Sequence, residues 1–425
     1  MSETAVTLVP TCDTTSHHVS LSNVQRYRSL AILTAAAGAI YPLLYLRQNF
    51  EGPLLEALGI SLATLNQASS WLGAVFLLSY APSGWLADRV DPKILIVSSL
   101  AGTGVIGYVF GQLPEPDLIK WLFSAWGLTT GLTFWSALIK EVNGLAGQHH
   151  QGRFFGILEG GRGLVEALLA TAAVAIFAHL STSDAPNSVE SMRSVIGFYT
   201  AFVFAMATLT WLLVPPNNTA TAPDSHQVAA GQLFADLRTI ASNAKVWWVI
   251  VCILTGYQFL WATYSFAGYL QNHWGMSASI AASIILAKLW TRPIGAVLSG
   301  FLGDRFRVTV VLHWSFIVAA IAMSAFALAP VGSDASALAI IAAVGLCTYS
   351  VRGLYWAILD DCAIPRHLNG LAIGFISLFA FTPEIYLPRL NTYLLTLWPD
   401  GGGYTVYFIW VAAGGVLGAY AAKRL

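Results

Sequence analysis

A charged turn that occurs twice constrains this chain more than any other feature. Gly84-Trp-Leu-Ala-Asp88-Arg89-Val-Asp91-Pro-Lys93 ends one apolar stretch, and Gly300-Phe-Leu-Gly-Asp304-Arg305 ends another 216 positions later. The chain has 425 residues, so the echo falls about half its length further on. Duplication of a unit made of apolar helices is how many membrane bundles are built, secondary transporters among them. Only 10% of the residues are charged and 56% are apolar, against about 25% charged in a soluble domain. A chain of this kind is solvated mostly by lipid.

Crossing a bilayer takes about 20 apolar residues. Twelve windows meet that length: 27–50, 65–86, 94–112, 118–141, 153–180, 194–214, 244–270, 278–302, 307–330, 335–359, 369–396 and 403–422. The fold class is therefore an all-α membrane protein of twelve spans in two pseudo-symmetric six-helix bundles. The polar first 25 residues lack the apolar core of a signal peptide and read as a disordered tail (1–25). Residues 26–214 form the first bundle, 215–243 the only long polar linker and 244–425 the second bundle. Basic residues in the loops fall 13 on one side and 2 on the other, which puts both termini in the cytoplasm. A bacterial inner membrane is the expected location.

Other classes find little support. Net charge is zero, so no basic field draws nucleic acid. Cys12, Cys252, Cys347 and Cys362 show no metal or disulfide spacing. There is no His-x-x-x-His pair and no Gly-x-Ser-x-Gly elbow, so neither an enzyme nor a cofactor is expected. No helix presents a dimer seam, and a monomer is expected.

In each repeated turn the glycine (Gly84, Gly300) permits close helix approach or a tight turn. The aspartate (Asp88, Asp304) suits the N-terminus of the following helix. The arginine (Arg89, Arg305) can pair with acids or headgroups. The expected role is a conformational latch, with an ordinary positive-inside loop as the plain alternative.

Six basic residues fall within or at the edges of apolar windows: Arg47, Arg162, Lys288, Arg292, Arg352 and Arg389. Charges there are expensive and face a partner or a polar path. On the fifth span Glu159, Arg162 and Glu166 share a face, among Gly160, Gly161 and Gly163. Shifting Gly152, Gly156 and Glu166 by 218 lands on Gly370, Gly374 and Glu384 of the eleventh span. This makes Glu166 and Glu384 expected symmetry mates across a central cavity. Set against Glu159, Glu166 and Glu384, the basic residues leave a positive excess, which attracts an anion. Arginine grips carboxylate, sulfonate or phosphate in a bidentate way. The three glutamates would balance charge or carry a proton. Tyr41 and Tyr45 on the first span, with Trp261 and Tyr264 on the seventh, are the aromatics expected to line the path.

The repeated turn resembles the loop signature of the major facilitator superfamily, placed as here after the second and eighth spans. The first copy departs from it with Asp91 where glycine is common. Tyr45-Leu-Arg47-Gln-Asn-Phe50 resembles the first-helix motif of the organophosphate:phosphate antiporter family, whose arginine contacts phosphate. That family's seventh-helix arginine has no counterpart in Gly256–Tyr264. The run Gln151–Glu166 and the tenth-span Arg352 resemble the YihN-like branch. The resemblance implies alternating access and a small polar, anionic solute held by Arg47, Arg162, Lys288 and Arg352, with proton symport as one form of coupling. The rival readings are a drug or organic-cation exporter that uses the glutamates, and a transport-dead solute sensor.

Overall fold

The computed structural model describes residues 22–146, 151–181, 188–216, 230–330, 332–362, 364, 368–399 and 401–425, and among these every regular element is helical. The first half runs α1 (Asn23–Ala39), α2 (Arg47–Leu58), α3 (Leu62–Arg89), α4 (Pro92–Gly111), α5 (Pro116–Thr133), α6 (Trp135–Ala146), α7 (Gln151–Ser181) and α8 (Ser188–Leu213). A helix within the linker, α9 (Ala230–Ser242), follows. The second half runs α10 (Ala244–Ala262), a 3-10 turn (Thr263–Ser265), α11 (Phe266–Asn272), α12 (Ala278–Arg305), α13 (Val308–Leu328) and α14 (Asp334–Leu354). After a second 3-10 turn (Ala357–Cys362) come α15 (Asn369–Ala380), α16 (Pro383–Leu397) and α17 (Gly402–Arg424).

Ten helical stretches among the described residues are long and apolar enough to cross a membrane. The first and second expected spans are filled by the pair α1–α2 and by α3, which are helical but more polar. Buried apolar side chains form two large cores, one drawn almost wholly from residues 30–214 and the other from 240–422, and a small third cluster of Ala167, Ala170 and Leu289 between α7 and α12. The expected disordered tail lies mostly outside the described residues. Helix α1 reaches back to Asn23, started by a capping box between Ser22 and Gln25. The linker is not irregular throughout, since α9 occupies its second part.

Four spans are each built from two helices, and the sequence explains three of the breaks. Pro42 follows Tyr41, and a residue before proline is pushed out of helical geometry, so α1 stops at Ala39. Pro383 takes the first position of α16, where its missing N–H costs nothing, and ends α15 upstream. The Thr263 hydroxyl bonds to the Leu260 carbonyl at 2.7 Å, and this local competition accompanies the 3-10 turn. Within α2, Phe50 has non-helical angles (φ −129°, ψ 35°) three residues before Pro53. The fourth span breaks at Phe134; the neighbouring sequence gives no physical account of it.

The halves meet along one end and at the middle. Helix α2 packs on the 3-10 turn, α11 and α12; α3 packs on α16; α7 packs on α12. Asn66 Nδ2 donates across the halves to Asn391 Oδ1 at 3.1 Å and to Thr392 Oγ1 at 2.8 Å. The repeated turns stand at the other end of α3 and α12.

The structure corrects the anatomy of those turns. Gly84 and Gly300 lie inside α3 and α12, and a Cβ on either would meet nothing within 4 Å, so neither makes a tight turn or a close approach. Asp88 and Asp304 also fall within the helices, and the next helices start from Asp91 and Arg307. In the first copy Asp91 caps the next helix, accepting from the Lys93 N–H at 2.9 Å. Arg89 and Arg305 sit in the last helical turns, where positive charge opposes the helix dipole.

Candidate functional site

The centre of the molecule is assembled from the helix breaks. Tyr41 and Tyr45 lie between α1 and α2, not on a continuous helix. A single turn still ties them, from the Tyr45 N–H to the Tyr41 carbonyl at 3.2 Å. Tyr45 stacks on Tyr264 (centroids 5.1 Å apart, planes at 17°), and Trp261 meets both rings edge-on. The N-terminal and C-terminal halves thus share one aromatic cluster. Trp261 is buried, and its indole N–H has no acceptor among the described residues.

Glu384, in the first turn of α16, accepts the Tyr45 hydroxyl at 2.6 Å and the Tyr257 hydroxyl at 2.9 Å. One carboxylate thereby ties the two halves together. Its stem lies where a Cβ on Gly73 of α3 would stand, 2.6 Å from the Glu384 Cγ. Glu384 and Glu166 are not equivalent mates across the centre. Glu166 sits mid-helix in the unbroken α7 and pairs with Arg292 of α12, while the break at Pro383 places Glu384 at a helix start.

Pairing divides the interior cations. Arg162 bonds to Glu159 at 3.2 Å and lies over the Trp135 ring at 5.0 Å. Glu159 keeps 55% of its side chain exposed, so this pair is wet on one side. Arg292 pairs with Glu166, stands 5.8 Å over Tyr349 and fits against Gly163, where a Cβ would sit 3.2 Å from its stem. Lys288 is fully buried, its Nζ donates to the Thr263 hydroxyl at 2.9 Å, and its stem occupies the space beside Gly345.

Arg352 differs from the others. It lies within electrostatic reach of Tyr257, Tyr264, Tyr355 and Glu159. Among the described residues no carboxylate comes within 4.0 Å of its guanidinium. Tyr41 completes the surround, within electrostatic reach of Arg162, Arg352 and Glu384.

Two of the six expected interior cations stand apart from this centre. Arg389 is exposed. Arg47 is buried in a network of its own, bonded to Glu51 at 2.5 Å and to Asn66 Oδ1 at 2.5 Å. Glu51 is absent from the expected balance of charge, and it reduces the positive excess. The spacing of Arg47 and Glu51, four apart on a helix, is the signal for that pair. Tyr257 was equally legible, since 257, 261 and 264 follow a one-face helical spacing. Trp135 carried no such signal, because its place over Arg162 depends on the break at Phe134.

An interior of paired and unpaired charges beside a cross-half aromatic cluster, in two helical bundles, is the layout of a solute carrier. The sequence matches the Major Facilitator Superfamily over residues 29–384. The chain belongs to that superfamily. It is 26% identical to the inner membrane protein YqcE of Escherichia coli (strain K12) over 377 residues, covering 86% of each chain. To the inner membrane protein YihN of the same organism it is 22% identical over 410 residues, covering 94% of this chain and 96% of the other. Among solved structures, the nucleoside transporter NupG superposes with a TM-score of 0.75 at 12% identity, covering 94% of this chain and 99% of the other. A bacterial homologue of the human lysosomal transporter Spinster, in an inward-facing conformation, gives 0.68 at 14% identity, covering 95% and 99%. These likenesses show a transporter fold. The superfamily is one of carriers, as the sequence predicts, and the E. coli relatives are inner membrane proteins.

Proposed function

We propose that this protein is a secondary active transporter of a small organic anion, a sulfonate, carboxylate or phosphate ester, working by alternating access as a monomer. The observation that carries this reading is Arg352, a largely buried guanidinium among tyrosine hydroxyls with no carboxylate within 4.0 Å among the described residues. A low-dielectric site gives such a charge a strong preference for an anion. The indole N–H of Trp261 is a second donor without an acceptor, suited to an oxygen of the same solute. Arg162 with Glu159 flanks the site on its wetter side, and Tyr41, Tyr45 and Tyr264 line it. Arg47 belongs outside it, because Glu51 and Asn66 already satisfy its charge.

Alternating access fits where the halves touch. The network of Arg47, Glu51, Asn66 and Asn391 seals the end away from the repeated turns, and the exposed Glu159 lies toward them. The Asp-Arg turns, Asp88-Arg89 and Asp304-Arg305, would latch that second end when it shuts. With both termini cytoplasmic, closure at the far end supports an inward-facing reading. Glu384 balances charge and releases Tyr45 when the halves part.

The test is a thermal-shift screen of the detergent-purified protein with isethionate, glucuronate, glycerol 3-phosphate, neutral sugars and organic cations, run on wild type and Arg352→Gln. Stabilisation by an anion, lost in the variant, is expected. Stabilisation by an organic cation that survives in the variant would favour the exporter reading. That rival has one observation behind it, a Glu384 with no cation within 4.0 Å among the described residues.

A further inference from the structure

Three charged groups on two helices adjoin the site at Arg352: Arg292 and Arg352 both lie within electrostatic reach of Arg162 and Tyr349. Lys288 and Arg292 stand one turn apart on α12. Glu166 of α7 lies within electrostatic reach of Lys288 and is bonded to Arg292. Lys288 is 0% exposed, and its ammonium position has one hydrogen bond, to the Thr263 hydroxyl. No carboxylate lies within 4.0 Å of it among the described residues. The charged groups that face it are Glu166 from α7 and Arg292 from its own helix. The 3-10 turn contributes Thr263 and α14 contributes Gly345, while among the described residues α2, α11 and α13 bring no charged group to it. An ammonium buried there without a counter-ion, one turn from a guanidinium, is costly.

We infer that Glu166 is a shared counter-ion, handed from Arg292 to Lys288 when an anion binds, and that Lys288 takes up one proton as this happens. The inference rests on the anion reading above. The incoming anion accepts hydrogen bonds from the Arg292 guanidinium and displaces the Glu166 carboxylate. A proton moves from water to the Lys288 Nζ, and the resulting ammonium pairs with the freed carboxylate. One negative charge and one positive charge enter together, so a monoanion adds no net charge to the bundle. Release reverses both steps. The side chain of Glu166 is 22% exposed, which gives water access to the exchange. The coupling group is then a lysine on the eighth span, and Glu166 is its switchable partner.

The experiment is isothermal titration of the full-length, detergent-purified chain with isethionate, glucuronate and glycerol 3-phosphate in buffers of different ionisation enthalpy. This counts protons taken up per anion bound, after subtraction of the phosphate ester's own ionisation. Wild type is expected to take up about one proton, so affinity rises about tenfold for each pH unit lowered. Lys288→Met, apolar and of similar length, is expected to bind without uptake and with pH-independent affinity. Lys288→Arg, permanently charged, is expected to do the same and serves if the methionine variant does not fold. Two results overturn the inference while leaving the anion site standing. One is binding by wild type without proton uptake. The other is uptake that survives both lysine variants and vanishes in Glu384→Gln. If no anion binds while a neutral sugar or an organic cation does, the anion site falls and the hand-over falls with it.

Discussion

Two buried polar regions of this molecule look alike in composition and differ in how far they are satisfied. At the sealed end, Arg47 finds Glu51 and Asn66, and Asn66 reaches across the halves to Asn391 and Thr392. At the centre, Arg352 and Lys288 have no carboxylate at ion-pairing distance among the described residues, and Glu384 is held by hydroxyls alone. A charge that already has its partners holds a conformation. A charge whose partners are incomplete has affinity left for something that arrives. Residue type alone would have treated both arginines as binding residues; the contacts separate them.

Breaking the satisfied region should have the largest effect. Glu51→Ala leaves Arg47 buried without a counter-ion, and a loss of about 3–5 kcal/mol is expected, read as a lower melting temperature in detergent. The double variant Arg47→Met with Glu51→Leu should recover most of it, because removing both charges also removes their desolvation cost. The centre should respond in the opposite sense. Trp261→Phe keeps the ring cluster and deletes the unpartnered N–H, so melting temperature should hold while anion affinity falls about fivefold, the value of one hydrogen bond. The smallest effect is a control on packing along α7. Gly160 faces open space, so Gly160→Ala should stabilise by about 0.5–1 kcal/mol through helix propensity. A destabilised Gly160→Ala would show a close approach at that position.

Much of the fold was legible because lipid leaves few options. Apolar length locates the spans, and the repeated Asp-Arg turn divides them into halves. What the windows missed lies where tertiary packing overrides local pattern. The first span extends through Arg47–Leu58 as α2, polar sequence that burial against α8 and against the other half sustains. That extension hid Glu51, and with it the true partner of Arg47. The candidate site was legible as a set of charges, since Arg162, Lys288, Arg292 and Arg352 stand out in apolar sequence. Their pairing was not. Whether Glu166 meets Arg292 or Lys288 depends on how α7 docks on α12, and both lysine and arginine offer it the same face. The shift of 218 that relates Glu166 to Glu384 is present in the sequence, yet Pro383 gives the second copy a different local structure.

Helix α7 also works as a depth gauge. Its 31 residues span about 46 Å at 1.5 Å per residue, well beyond a hydrocarbon core of about 30 Å. Measured from its first residue, Glu159 stands about 12 Å in and Glu166 about 22 Å in, the second close to the middle of the rod. With the hydrocarbon core centred on α7, this one helix would carry a carboxylate near the headgroups, where water is cheap, and another near the midplane, where it is scarce. A solute moving along α7 would meet its first acid while still partly hydrated and its second only after shedding most of its water shell.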